Sequence, residues 1–176
     1  MSAATAQHDS AQHDSIERDT RQGDSGQRSW EDVRDGEELP GFELQLTWTK
    51  MVEQVSGSQD FYPVHHDPDF AAEAGHPGIF YNTGFTGAAL SRLLTDWIGP
   101  EGWLRRFDFQ MRRMNMNGDT MAVKGRVVGK RRRGEEGTNL VNIELWIEND
   151  REGVTTPATA LVQLPSRDGA EGVIPG

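Results

Sequence analysis

A chain of 176 residues carrying a net charge of -10 has room for one domain with one core. Without cysteine it cannot form disulfides, use a thiol nucleophile or bind metal through thiolates. Its acidic balance argues against nucleic acid and anionic membranes as partners unless one face concentrates positive charge. The candidates for such a face are "LRRF", "MRRM" and "GKRRRG", and the last reads as a solvated hairpin loop between two strands. No stretch approaches the roughly 18 apolar residues of a membrane span, and the N-terminus lacks the basic-then-apolar pattern of a secretory leader. The expectation is a soluble, cytoplasmic protein.

Residues 1–28 contain the duplication "AQHDS AQHDS" and, after Met1, a single large aliphatic residue, Ile16. So little apolar surface cannot offset the entropy of ordering the segment, which predicts a disordered tail. Apolar content begins at Trp30. In "FELQLTWT" alternation places Phe42, Leu44, Leu46 and Trp48 on one face of a strand. "KMVEQVSGS" then reads as a short helix, with Thr49 as its cap and Gly57 as its stop. In "DPDFAAEAG" Asp67 can cap, Pro68 suits the first helical position and Gly75 can end the turn.

The strongest helical signal is "NTGFTGAALSRLLTDWIGP", where Leu90, Leu93, Leu94 and Trp97 share a face. Gly84, Gly87, Ala88 and Ala89 permit close packing, and Gly99 with Pro100 ends the helix. Four alternating segments follow: Phe107, Phe109 and Met111; Met121, Val123, Gly125 and Val127; Val141, Ile143, Leu145 and Ile147; Ala158, Ala160, Val162 and Leu164. "NGD", "RRRGEEG" and "NDREG" are the turns between them. One strand, a dominant helix and an antiparallel meander make an α+β domain with the helix lying across a curved sheet.

The stretch with chemistry in it is "DFYPVHHD", residues 60–67. Asp60 and His65, five residues apart on an irregular segment, can converge on one water. An aspartate accepts hydrogen bonds and a histidine can take or give a proton, so the two together can activate that water. His65, His66, Asp67 and His76 are the alternative as metal ligands, but adjacent histidines point apart and Asp67 is wanted as a cap. A serine nucleophile has no support, because Ser91 lies well inside the helix instead of on a strand-to-helix elbow.

The run "SQDFYPVHHDPDFA", the apolar helix after it and then "MNMNGDTMAVKGRVV" resemble the MaoC-like hydratases and dehydratases, which have the hotdog fold. "QDFYPVHHD", "IFYN" and "TDWIGP" bring the likeness closest to the small catalytic subunit of steroid side-chain enoyl-CoA hydratases. The likeness spans about residues 36–165, within a hotdog domain expected over 29–168 and followed by a flexible C-terminus, 169–176. It implies reversible addition of water across the 2,3 double bond of a trans-2-enoyl-CoA, possible on a bulky steroid-type acyl group. Asp60 and His65 match the family's catalytic pair, and a backbone N–H near Asn82 would receive the developing charge on the thioester oxygen.

The chain departs from the family at the motif's usual asparagine, here Tyr62, and at its "His-Gly", here Tyr81 and Asn82. Tyr62 and Tyr81 become candidates for lining the substrate pocket or for ordinary packing. The resemblance implies no cofactor beyond the coenzyme A of the substrate, and a homodimer or a heteromer with a second hotdog subunit. The competing functions are a non-catalytic subunit completing another chain's acyl pocket and a hotdog thioesterase.

Overall fold

The computed structural model describes residues 26–133 and 138–167. The expected tail therefore lies outside the described residues except for Gly26, Gln27 and Arg28, and 169–176 lies outside them entirely. The domain starts earlier than the sequence suggests. Gln27 closes the C-terminal end of the longest helix, its Nε2 donating to the Ile98 carbonyl at 3.0 Å and its Oε1 accepting from the Glu101 N–H at 2.7 Å. Arg28 lays its guanidinium 4.9 Å from the centre of the Trp97 ring.

After a short 3-10 turn at Trp30–Asp32 come β1 (Phe42–Gln45), α1 (Trp48–Ser58), a second 3-10 turn (Pro63–His65), α2 (Pro68–Glu73) and α3 (Thr83–Ile98). The remaining strands are β2 (Trp103–Phe109), β3 (Thr120–Arg133), β4 (Thr138–Asn149) and β5 (Gly153–Gln163). All pairings are antiparallel and the order across the sheet is β1-β3-β4-β5-β2. Only β3, β4 and β5 form the expected meander. β2 pairs with β5 at the far edge, because the chain from Gln110 to Asp119 is long enough to carry it across the sheet before β3 begins.

The alternating residues of β3, β4 and β5 turn inward as expected and meet one face of α3. Leu90, Leu93 and Leu94 are at most 1 % exposed, and the inward residues of β3 and β4 at positions 121, 123, 127, 141, 143, 145 and 147 are buried with them. This is a hotdog arrangement, a curled sheet around one central helix. α3 packs tightly on β2 at Gly87, where a Cβ would sit 3.2 Å from the Phe109 ring. Met111, expected on β2, falls beyond its end and is half-buried.

Three further expectations shift. β1 ends at Gln45, and Thr47, not Thr49, caps α1 by accepting from the Lys50 N–H; Trp48 thus becomes the first helical residue and is 54 % exposed. The helix passes Gly57 and ends at Gln59, whose φ of 56° is left-handed. The basic run is strand as far as Arg133, not loop, and residues 134–137 of the expected turn lie outside the described residues. Two of its cations, at alternate positions and so on one face of the strand, have partners there. Lys130 and Arg132 stack on Trp30, and Arg132 also pairs with Glu31.

Candidate functional site

The site forms where α1, the Gln59–Asp67 segment and the N-terminus of α3 meet. The left-handed Gln59 turns the chain sharply out of α1 and delivers Asp60. Asp60 closes a local turn of its own, its Oδ1 accepting the Tyr62 N–H at 3.3 Å. Pro63 then starts the 3-10 turn that carries His65 inward, and Asp67 caps α2 by accepting from the Asp69 and Phe70 N–H groups. The sequence assignment of Asp67 and Pro68 is seen in full.

His65 is 7 % exposed and its Nδ1 lies 2.8 Å from the Phe80 carbonyl oxygen. A carbonyl can only accept, so Nδ1 carries the proton and the neutral ring presents its lone pair at Nε2. Nε2 lies 3.4 Å from Asp60 Oδ2, and the Asp60 side chain is 43 % exposed. A half-exposed carboxylate oxygen and the lone pair of a buried imidazole thus face each other. Both are acceptors, and each can hold one hydrogen of a shared water or the pair can share a proton.

Asn82 is the N-cap of α3, its Oδ1 accepting the Phe85 N–H at 2.8 Å. Its Nδ2 reaches Ser58 Oγ at 2.7 Å and Asp60 Oδ2 at 3.1 Å. Its own backbone N–H is taken by Gln54 Oε1 at 3.3 Å. The next amides, of the exposed residues Thr83 and Gly84, have no acceptor within the helix and lie at the positive end of its dipole. The N–H groups open to a ligand are therefore those just after Asn82.

The two tyrosines separate. Tyr62 is 57 % exposed beside Phe61, which is 59 % exposed, and its ring meets His65 and Phe70 edge-on. Tyr81 is buried against Phe85 with no partner for its hydroxyl, and burial, with the charge of Glu53 adding to it, pushes its phenol above the ordinary range. It is a core side chain in this chain, while its backbone N–H ties α3's entrance to the Asn115 carbonyl at 3.0 Å.

His66, without an assigned role in the sequence, places Nε2 3.1 Å from the Phe61 carbonyl, and His76 packs edge-on against Phe80. Among the described residues no three His, Asp or Glu side chains gather as metal ligands. Ser58 and Gln54 are the contributors that sequence reasoning passed over. Neither belongs to the "DFYPVHHD" run, and only their place on the last turns of α1 brings them to Asn82.

Asp119, of the Gly118-Asp119-Thr120 turn, is also fixed by its surroundings. Buried, it accepts from the Met116 N–H, from Asn149 Nδ2 and from Arg151 Nε and Nη2. This holds the 114–117 segment, which in turn bonds Tyr81 and forms a bridge from Met116 to Phe80. The turn thereby supports the segment around Phe80 that presents the carbonyl to His65.

A family model described as "MaoC like domain" matches residues 37–146. The 3-oxo-4,17-pregnadiene-20-carboxyl-CoA hydratase beta subunit of Mycobacterium tuberculosis is 27 % identical in an alignment 122 residues long that covers 62 % of this chain and 95 % of that protein. A chain in the crystal structure of the ChsH1-ChsH2 complex from Mycobacterium tuberculosis superposes with a TM-score of 0.66 at 25 % identity, over 75 % of this chain and 98 % of that one. The unliganded R-hydratase PhaJ1 from Pseudomonas aeruginosa superposes with a TM-score of 0.69 over 79 % of this chain and 86 % of that one, and at 18 % identity this likeness speaks to the fold alone. No helix among the described residues is long and apolar enough to cross a membrane.

Proposed function

The chain belongs to the MaoC-like domain family, and from that premise we propose that it is a hydro-lyase adding water across the 2,3 double bond of a trans-2-enoyl-CoA, with the reverse dehydration at the same site. The observation that carries the reading is the pair Asp60 Oδ2 and His65 Nε2, 3.4 Å apart beside the N-terminus of α3, with the histidine buried and the carboxylate half-exposed. A water held between them gives one hydrogen to each acceptor. Nε2 takes a proton as the water oxygen bonds to C3, and electron density moves through C2 to the thioester oxygen. The Thr83 and Gly84 N–H groups receive that charge. Nε2–H then returns the proton to C2, so hydroxyl and hydrogen arrive from one side and the histidine is restored.

A bulky, steroid-type acyl group is the substrate class the relative supports, since its name specifies a pregnadiene carboxyl-CoA. The exposed Phe61 and Tyr62 beside the pair suit a site covered by a second hotdog subunit, and the similar chain is solved within a two-protein complex. Purified with any such subunit and given an enoyl-CoA, the protein should remove the conjugated-thioester absorbance without releasing free thiol. Asp60→Asn and His65→Gln should each lower kcat by roughly 10²–10⁴-fold. Free thiol would make it a thioesterase, and unchanged rates in both variants would leave the chain a non-catalytic subunit.

A further inference from the structure

The position of Asp60 is set by a hydrogen-bond chain that uses every side-chain hydrogen of Ser58 and Asn82. Asn82 Oδ1 must be the oxygen, because it receives the Phe85 N–H, so Nδ2 faces Asp60 and Ser58. Ser58 Oγ gives its single proton to the Gln54 carbonyl at 2.6 Å, leaving its lone pairs for Asn82 Nδ2 at 2.7 Å and the Asp60 N–H at 3.4 Å. The two hydrogens of Nδ2 then go one to Ser58 and one to Asp60 Oδ2 at 3.1 Å. That oxygen is the one facing His65 Nε2. The other, Oδ1, is held by the Tyr62 N–H.

We infer that Ser58 and Asn82 are positioning residues that act through Asp60, fixing the oxygen that faces His65 to the ends of α1 and α3. Ser58 Oγ reaches Asp60 in two ways, by directing the Asn82 amide and by accepting the Asp60 N–H. Without Ser58 and Asn82 the exposed Asp60 side chain would keep only the Tyr62 N–H on Oδ1, with nothing to hold Oδ2 toward the histidine. The same Asn82 amide caps α3, so the carboxylate is referenced to the helix whose first N–H groups face the substrate. This inference rests on the reading of Asp60 as an acid/base residue.

The test is a mutant cycle on the full chain, in the oligomer in which it purifies, with crotonyl-CoA as the probe substrate. Ser58→Ala should lower kcat about tenfold with KM within about twofold, and Ser58→Thr should restore it. Asn82→Asp keeps the oxygen that caps α3 but loses the donor to Asp60. It should melt within a few degrees of wild type while kcat falls about a hundredfold. In an Asp60→Asn background, assayed at raised enzyme concentration, Ser58→Ala should change the rate by less than about twofold, because the group it directs is gone. An equal loss in both backgrounds, or a wild-type kcat for Ser58→Ala, would overturn the inference while the catalytic reading stands. A wild-type rate for Asp60→Asn alone would remove that reading and the inference with it.

Discussion

Asp119→Asn separates a structural acid from the surface ion pair that it also makes. The carboxylate accepts four bonds. Three end on Oδ2, from Met116 N–H at 2.9 Å, Asn149 Nδ2 at 3.0 Å and Arg151 Nη2 at 3.1 Å; Oδ1 accepts from Arg151 Nε at 3.0 Å. An asparagine keeps these partners best with its oxygen at the Oδ2 position, which turns its NH2 toward Arg151 Nε. The bonds from Met116 and Asn149 survive without charge assistance, at a loss of about 1 kcal/mol each. The Arg151 side chain is 37 % exposed and can return to water, so its bonds add about 0–1 kcal/mol. The total is about 2–3 kcal/mol, or roughly 6–12 °C in melting temperature for a domain of this size. Urea unfolding followed by circular dichroism at fixed protein concentration gives the free-energy change, and Arg151→Ala serves as the control, with an expected cost below about 1 kcal/mol. If Arg151→Ala costs as much as Asp119→Asn, the buried acceptor is not what holds the 114–117 segment.

Glu31 is held at about 2 by the Ser166 hydroxyl first, then by the Arg167 N–H and the charge of Arg132. A depressed carboxylate stabilises the fold above its unfolded value near 4.5 and loses that contribution as pH falls through about 2. The melting-temperature gap between wild type and Glu31→Gln should therefore be constant above about pH 5.5 and close on acidification; a gap independent of pH would remove Glu31 as the clasp between the Trp30–Asp32 turn and the segment after β5. Leu94 is fully buried on the inner face of α3, and Leu94→Ala should cost about 2–5 kcal/mol in urea unfolding, with a loss below 1 kcal/mol showing that the core there collapses around the cavity.

The long helix was legible because its apolar residues repeat with a period that only a helix satisfies, and Gly99-Pro100 stops it. Asp67-Pro68 was equally readable, since a cap and a first-turn proline are local devices. Sheet order was not, because alternation fixes which face a residue takes and says nothing of its neighbour; β2 could sit beside β3 or beyond β5 with the same pattern. The choice between Thr47 and Thr49 also lay outside the sequence, for both have the right hydroxyl and the backbone at position 47 decides. At the site, Asp60 and His65 are close in sequence and could be paired on chemistry. Ser58 and Asn82 are 24 positions apart, and only the packing of α1 against α3 joins them.

The Phe80 carbonyl beside His65 has a further consequence for the movement of protons. A backbone oxygen has no proton to pass on and accepts none at ordinary pH, so the imidazole is closed on its inner side. Any proton that His65 gains or gives must travel through Nε2, across the 3.4 Å gap to Asp60 or to whatever occupies the space between them. The interior offers no relay to bulk water by that route. Proton transfer at His65 is thereby confined to Nε2, the side on which Asp60 stands, which suits a reaction that takes a proton from water and hands it back at the same atom.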